Sequence, residues 1–299
     1  MTNQRKGESA SRHVNETAPC HPITPASVLY VVATPIGNLE DITLRALRIL
    51  QEVDLILCED KRITIRLLNK YSIKTKLVSF HEHNEKERSK DIISHLKLGK
   101  NIALVSDAGS PLISDPGSDL ISAAYQNNIK VISIPGPSAL ISAVSICPIK
   151  FNSFTFIGFL PNKTSKRNEL ISLLAKNYSV VILYIAPHDF KKYIKEIYSL
   201  YPEINIFYAR ELTKIYEECW YGKIKDLLDL LENKELKGEI VLVLDFQGHK
   251  NKNNITEKEI LDKMRKNIDN GKSLKETSKI LGKEYNLSSN GLYALYLKK

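Results

Sequence analysis

The chain has 299 residues, 43% hydrophobic and 26% charged, ordinary for a soluble globular protein and long enough for two domains. No apolar run reaches the roughly 20 residues a bilayer span needs, and the scattered cysteines (Cys20, Cys58, Cys147, Cys219) form neither a metal motif nor a disulfide framework, which fits a reducing cytoplasm. Lys and Arg number 43 against 34 Asp and Glu, a net charge of +9 that favours a polyanionic partner.

Residues 1–26 combine charged residues with three prolines and hold no apolar stretch, so they read as a disordered tail without a secretory leader. From 27 to 148, short apolar runs alternate with amphipathic segments. The runs begin near Leu29, Leu55, Leu77, Ile102 and Val131. Between them fall helical patterns such as Ile42, Leu44, Leu47 and Leu50, and later Ile92, Ile93, Leu96 and Leu98. This rhythm predicts an α/β domain on a mainly parallel sheet, with helices on both faces.

Three of the runs end in small-residue loops: Ala33-Thr34-Pro35-Ile36-Gly37-Asn38, Ser106-Asp107-Ala108-Gly109-Ser110-Pro111 and Pro135-Gly136-Pro137-Ser138-Ala139. Small residues let a ligand approach the backbone, and the carboxyl ends of strands are where open α/β sheets bind ligands. Asp107 is the acidic group placed to meet one, with a turn or helix-cap carboxylate as the alternative. Ser114-Asp115-Pro116 is expected to supply the N-cap and first turn of a helix through Leu120, Ile121 and Ala124, which makes Asp115 a capping residue rather than a ligand contact. Neither G-x-x-x-x-G-K-[ST] nor G-x-G-x-x-G follows the first strand, so neither a kinase nor a dinucleotide oxidoreductase is favoured.

From 149 to 248 the rhythm changes. Strand patterns at 154–158, 180–185, 204–208, 217–221 and 239–246, with helices near 164–176, 187–200 and 223–232, predict a second α/β domain on a mixed sheet. Residues 249–299 read as a polar linker and a helical extension. Thr256-Glu-Lys-Glu259 and Ser273-Leu-Lys-Glu276 match capping boxes. The second opens a helix with Leu274, Thr277, Ile280 and Leu281 inward, ending near Gly282. After a turn at Asn286 comes a final helix with Leu292, Leu295 and Tyr296. The pair resembles a helix-turn-helix that either grips RNA or caps the second domain or a partner subunit.

The segment 33–43, the loops at 106–111 and 135–139, Glu59-Asp60-Lys61-Arg62, and Ala209-Arg210-Glu211-Leu212-Thr213-Lys214 resemble, in this order and spacing, the ribosomal RNA small subunit methyltransferase I family. That family belongs to the tetrapyrrole-methylase-like group of S-adenosylmethionine enzymes, and the resemblance spans residues 28–246. It implies a two-domain class III methyltransferase fold with S-adenosylmethionine in the cleft between the domains. Around the cofactor it places Pro35, the stretch Asp107, Ala108, Gly109, Ser110 and Pro111, and the turn Ser138-Ala139. From the second domain it adds Tyr184, Ala209 and Glu239. It further implies a homodimer, and as acceptor the 2′-hydroxyl of a cytidine in small-subunit rRNA, naked or in the assembled 30S subunit.

A neutral hydroxyl is a poor nucleophile, so its proton must leave as it attacks the methyl. Collinear alignment supplies much of the rate, and a general base adds about 10²–10⁴-fold. Glu59, Arg62 and Glu211 are the residues chosen for catalysis, with the base unassigned; a surface ion-pair cluster at a helix start is the alternative for 59–62. Lys61, Lys163, Arg167 and Lys214 are chosen as RNA contacts, Lys163 and Arg167 because they lie beside the aromatic segment 151–159. His81-Glu82-His83 reads as a cleft-edge loop rather than a metal site, and the chemistry needs no metal. Two competing functions are a methyltransferase of the same fold acting on a tetrapyrrole or other small molecule, and a non-catalytic RNA-binding ribosome-assembly factor.

Overall fold

A computed structural model describes residues 27–232, 237–248, 257–285 and 287–297. The first sheet holds β1 (Val28–Val32), β2 (Leu55–Cys58), β3 (Lys76–Ser79), β4 (Ile102–Leu104) and β5 (Lys130–Ile134), all parallel, in the order β3-β2-β4-β1-β5. Both of its faces are covered, which is why its strands read as unbroken apolar runs. Successive residues of β2 and β4 point to opposite sides. Ile56, Cys58 and Ala103 enter one core, with Ala46 and Ile49 of α1 (Leu44–Glu52) and Leu67 of α2 (Lys61–Lys70). Leu55, Leu57, Ile102 and Leu104 enter the other, with Ile92 and Leu96 of α3 (Glu85–Lys97) and Leu120 of α4 (Ser118–Gln126).

The second sheet runs β6-β7-β10-β8-β9, with β6 (Thr155–Phe159) parallel to β7 (Val180–Ile185) and the remaining pairs antiparallel. Its other members are β8 (Asn205–Arg210), β9 (Glu218–Lys223) and β10 (Ile240–Asp245). One face packs on α6 (Thr164–Asn177), α7 (Pro187–Leu200) and α8 (Ile224–Leu231) through Val181, Leu183 and Ile185. The opposite face, through Val180, Ile182 and Val243, meets Leu140 and Ala143 of α5 (Ala139–Ser145) together with Ile36. That shared core joins the two sheets. A third, small core of Ile260, Met264, Leu281, Tyr285 and Leu292 unites α9 (Glu257–Asp269), α10 (Leu274–Tyr285) and α11 (Ser289–Leu297).

Three expectations change. Helix α4 starts at Ser118 rather than at 114–116: its N-cap is Gly117, with φ 133°, and makes no side-chain cap. The cap comes from another helix, because the buried Glu85 carboxylate accepts the N–H of Gly117 (3.0 Å) and of Asp119 (2.9 Å) through the same oxygen. Helix α10 continues past Gly282 to Tyr285, and Ile280 faces outward. Among the described residues the extension has three helices, one after each capping box and the final one; Ser273 does cap α10, accepting the Glu276 N–H at 3.2 Å. The tail 1–26, the Thr256 box and the Asn286 turn lie outside the described residues. Among the described residues no helix is long and apolar enough to cross a membrane.

Candidate active site

Because β4, β1 and β5 are neighbours, their carboxyl ends bring the three small-residue loops together. The loops then lock to one another. Thr34 and Gly109 exchange backbone hydrogen bonds of 2.8 and 2.9 Å, and the Thr34 hydroxyl donates to the Ser106 carbonyl at 3.1 Å. Ser110 Oγ donates to the Pro137 carbonyl at 3.2 Å. A methyl group on Gly136 would sit 3.0 Å from the Ala33 side chain, a tight contact that glycine avoids where these two loops pass. Leu112 (φ 69°) and Ser114 (φ 71°) adopt left-handed conformations, which non-glycine residues keep only where the surroundings hold them. From the second sheet, a register shift between Phe156 and Phe159 places Gly158 at φ 66° directly against Ser114.

Between the loops and the second sheet lies a cleft of about 380 Å³, within the range of small-molecule sites. Of the residues expected around a cofactor, Asp107, Ala108, Gly109 and Ser110 line it on one side, with Ser138 and Ala139. Tyr184, Ala209 and Glu239 line the other. Pro35 and Pro111 do not: both are buried, and their neighbours Ile36 and Ile113 reach the cleft instead. The strand end at Tyr184-Ile185, which the resemblance also implicates, lines the cleft, whereas sequence reasoning misses Phe159, Leu212, Ala186, Pro187 and, above all, Asp115. The apolar members of that set carry no local signal, since a buried strand end looks the same whether or not a ligand sits beside it.

Asp115, expected to cap a helix, does not, and the structure corrects that expectation. With Glu85 capping α4, the half-buried Asp115 lines the cleft. Burial, then the nearby Glu59 and Asp107 charges, push its carboxyl up to about 6, with a hydrogen bond from Ser106 opposing them. Asp107 is raised as well, mainly by burial, although it accepts the Asp60 N–H at 3.0 Å. Burial also raises Glu59, which is not among the lining residues but has Asp107 in its electrostatic surroundings. Burial raises the Tyr184 phenol. The mostly apolar wall thus carries Asp107, Asp115 and Glu239 as its acidic groups. That donor set suits a small cation with an apolar body.

The remaining candidates are distributed differently. Asp60 caps α2 and holds Arg62 through both carboxylate oxygens, at 3.1 and 2.7 Å, with the guanidinium 88% exposed at the rim. The ion-pair alternative for this cluster therefore describes Asp60 and Arg62. Lys61 is exposed beside them. Glu211 (φ 52°) does not line the cleft. It accepts from Lys214 Nζ (2.8 Å) and from the Glu239 N–H (3.1 Å). Burial opposes its charge, but these donors win and lower its pKa. Lys214, also bonded to Glu239, braces the cleft wall. Lys163 is exposed at the start of α6. Arg167 is fully buried in ion pairing with Glu196 and is removed from the RNA-facing set, because a guanidinium with no exposed surface meets no phosphate.

Residues 28–228 match the family described as tetrapyrrole (corrin/porphyrin) methylases. A ribosomal RNA small subunit methyltransferase I of Thermotoga maritima is 46% identical over 216 residues, 72% of this chain and 97% of its own. A protein of the same name from Synechocystis sp. is 39% identical over 272 residues, covering 91% of this chain and 98% of its own. Among solved structures, a cobalt precorrin-4 methyltransferase of cobalamin biosynthesis shares the fold with a TM-score of 0.54 at 17% identity, over 75% of this chain and 98% of that one. A uroporphyrin-III C-methyl transferase from Thermus thermophilus, complexed with S-adenyl homocysteine, does so with a TM-score of 0.52 at 15% identity, over 75% and 99%.

Proposed function

The chain belongs to the ribosomal RNA small subunit methyltransferase I family, within the tetrapyrrole methylases, and from that premise we propose that it methylates the 2′-hydroxyl of a cytidine in small-subunit rRNA. The enzyme is an S-adenosylmethionine-dependent methyltransferase; when bound, the cofactor supplies an electrophilic methyl on a sulfonium. The observation that carries the reading is the cleft itself, assembled from the same loops that carry the resemblance to the family. Asp107, Ala108, Gly109 and Ser110 hold the cofactor on the first sheet's side, with Ser138 and Ala139. Tyr184, Ala209 and Glu239 close it from the second. Backbone groups and small side chains give the close approach, while Asp107 and Glu239 offset the cofactor's positive charges.

Lys61, Arg62 and Lys163 stay exposed, and with a net charge of +9 they support an RNA acceptor over a small neutral one. Ribosomal RNA places the reaction in the cytoplasm. A second copy of the chain covers the apolar residues that flank the groove at Thr43, Ile141 and Thr213. Leu44, next to Thr43 in the chain, is 86% exposed and Ile215, two residues after Thr213, 94%, unusual for a surface left to water. Light scattering at micromolar concentration is expected to give twice the 33.9 kDa chain mass.

The deciding experiment is methyl transfer from radiolabelled S-adenosylmethionine to small ribosomal subunits and to naked rRNA, with the labelled nucleotide mapped. Label on a cytidine 2′-oxygen is the expected result. Label on no RNA, from protein that binds S-adenosylhomocysteine, moves the reaction to a tetrapyrrole or another small acceptor. Protein that binds RNA but not the cofactor is an assembly factor instead.

A further inference from the structure

The sequence places four carboxylates near the carboxyl end of the first sheet, and the fold gives two of them fixed work. Asp60 caps α2 and holds Arg62. Asp107 accepts the Asp60 N–H. Glu59 is not among the lining residues. The fourth, Asp115, lines the cleft, with the Ser106 hydroxyl in its electrostatic surroundings. Glu239, across the cleft, is 76% exposed and tied to Lys214. Asp115 is therefore the lining carboxylate with neither a cation nor a backbone cap to serve.

What frees it is Glu85. In a sequence such as Ser-Asp-Pro-Gly, the aspartate would ordinarily bond the first amides of the following helix. Here those amides, Gly117 and Asp119, are taken by Glu85 Oε1 from 32 residues upstream. Glu85 is itself fixed at the first turn of α3, just after a turn in which Asn84 Oδ1 accepts the His81 N–H at 2.9 Å. This gives the His81-Glu82-His83-Asn84-Glu85 stretch, which reads along the chain only as a loop edge, a task. With Leu112 and Ser114 left-handed and Gly158 backed onto Ser114, the segment 110–117 is held from three sides.

We propose that Asp115 is the group that accepts the proton of the RNA hydroxyl during methyl transfer, and that Glu85 is the positioning residue that keeps it in the cleft. The inference rests on the methyltransferase reading above. In the step, the hydroxyl oxygen bonds to the methyl carbon and the carbon–sulfur bond breaks, its electron pair passing to sulfur. The hydroxyl proton passes to the Asp115 carboxylate. The groups that set Asp115's basicity are Glu59 from the end of β2, Asp107 and Ser106 from the end of β4, and Tyr184 from β7. The carboxylates and burial raise it to about 6, close to the range in which a carboxylate is both ionised at neutral pH and a useful base.

The test is methyl transfer by the full chain to small-subunit rRNA across pH 5–9, with S-adenosylhomocysteine affinity measured in parallel, for wild type, Asp115→Asn, Glu85→Ala and Glu85→Gln. Wild-type kcat is expected to rise through pH 6. Asp115→Asn should lose far less in affinity for S-adenosylhomocysteine than the roughly 10²–10⁴-fold it loses in kcat, and should lose the acidic limb. Glu85→Ala removes a buried cap and puts folding at risk, so Glu85→Gln carries the positioning half. Its amide oxygen still accepts both N–H groups, and it should restore kcat and the limb where alanine lowers kcat by on the order of 10²-fold. An Asp115→Asn enzyme with wild-type kcat and an intact acidic limb overturns the proton-acceptor role, as does a Glu85→Ala enzyme with a wild-type profile for positioning. Wild-type protein that binds S-adenosylhomocysteine but methylates no RNA overturns the RNA reading and proton acceptance with it.

Discussion

Arg167 and Glu196 meet in a two-pronged ion pair, Nε to Oε2 at 2.6 Å and Nη2 to Oε1 at 2.7 Å, with the arginine side chain 0% exposed. Its other N–H groups reach the carbonyls of Pro161 (2.7 Å) and Asn162 (2.9 Å) and the Thr164 hydroxyl (3.1 Å), and the guanidinium stacks 4.1 Å from the Tyr193 ring centre. The residue ties the entry of α6 to α7. Arg167→Ala is expected to destabilise the protein by about 2–4 kcal/mol, because it strands a partly buried carboxylate, 17% exposed, and two carbonyls. Arg167→Lys should fall well short of rescue, since an ammonium lacks the planar fork. Urea unfolding measures both; a loss under about 1 kcal/mol would mean that Glu196 is well solvated without its partner.

Lys163 and Lys166, exposed beside that buried arginine, carry the opposite expectation. Reversing both to Glu should leave urea stability nearly unchanged and weaken rRNA binding. On single-stranded RNA, the slope of log K against log salt should fall by about 0.7 for each phosphate that the variant no longer neutralises. Filter binding from about 50 to 200 mM salt reads this slope. An unaltered slope removes the patch from the RNA surface.

The raised Asp115 carboxyl predicts how stability follows pH. Its folded pKa, about 6, lies above the unfolded value of 3.8. Its contribution to stability is therefore fully present below 3.8 and is lost as pH rises through 6. Asp115→Asn should stabilise the ligand-free protein at pH 8 by on the order of 1–2 kcal/mol, a figure reduced for solvent screening at a half-buried group. The gain should shrink towards pH 4. Paired thermal melts at the two pH values check it, and an equal shift at both would show that Asp115 is not desolvated.

Gly158 sits at φ 66°, and a methyl there would come within 2.9 Å of Ser114 Oγ. Gly158→Ala is expected to cost about 1–2 kcal/mol from the left-handed backbone alone. By pushing on the loop that carries Asp115, it should also weaken S-adenosylhomocysteine binding. Adding Ser114→Ala should recover affinity more than stability, since it relieves the contact but not the backbone. Calorimetry on the single and double variants separates the two effects, and an unchanged affinity in Gly158→Ala would uncouple this bulge from the cleft.

Much of the fold is legible along the chain because its determinants are short-range. The apolar runs at β1, β2, β4 and β7 are continuous because each residue faces one of two cores, as Leu55, Leu57 and Ile56, Cys58 show in β2. The three loops stand out by small residues that backbone crossing demands, as at Gly136 over Ala33. Pro35 and Pro111 fall one or two positions from the lining because a buried turn residue and its cleft-facing neighbour share the same local pattern.

Strand positions, loop chemistry and the family signature were thus determined by the sequence, through side-chain alternation and residue size, which act over a few positions. The roles of the charged residues were decided only by tertiary structure. Arg167 is buried because Glu196 lies opposite it, 29 residues away, and Asp115 faces the cleft because Glu85 takes the helix cap from 32 residues upstream. A charge is defined by its partner and its exposure to water, and both are set across the fold rather than along the chain.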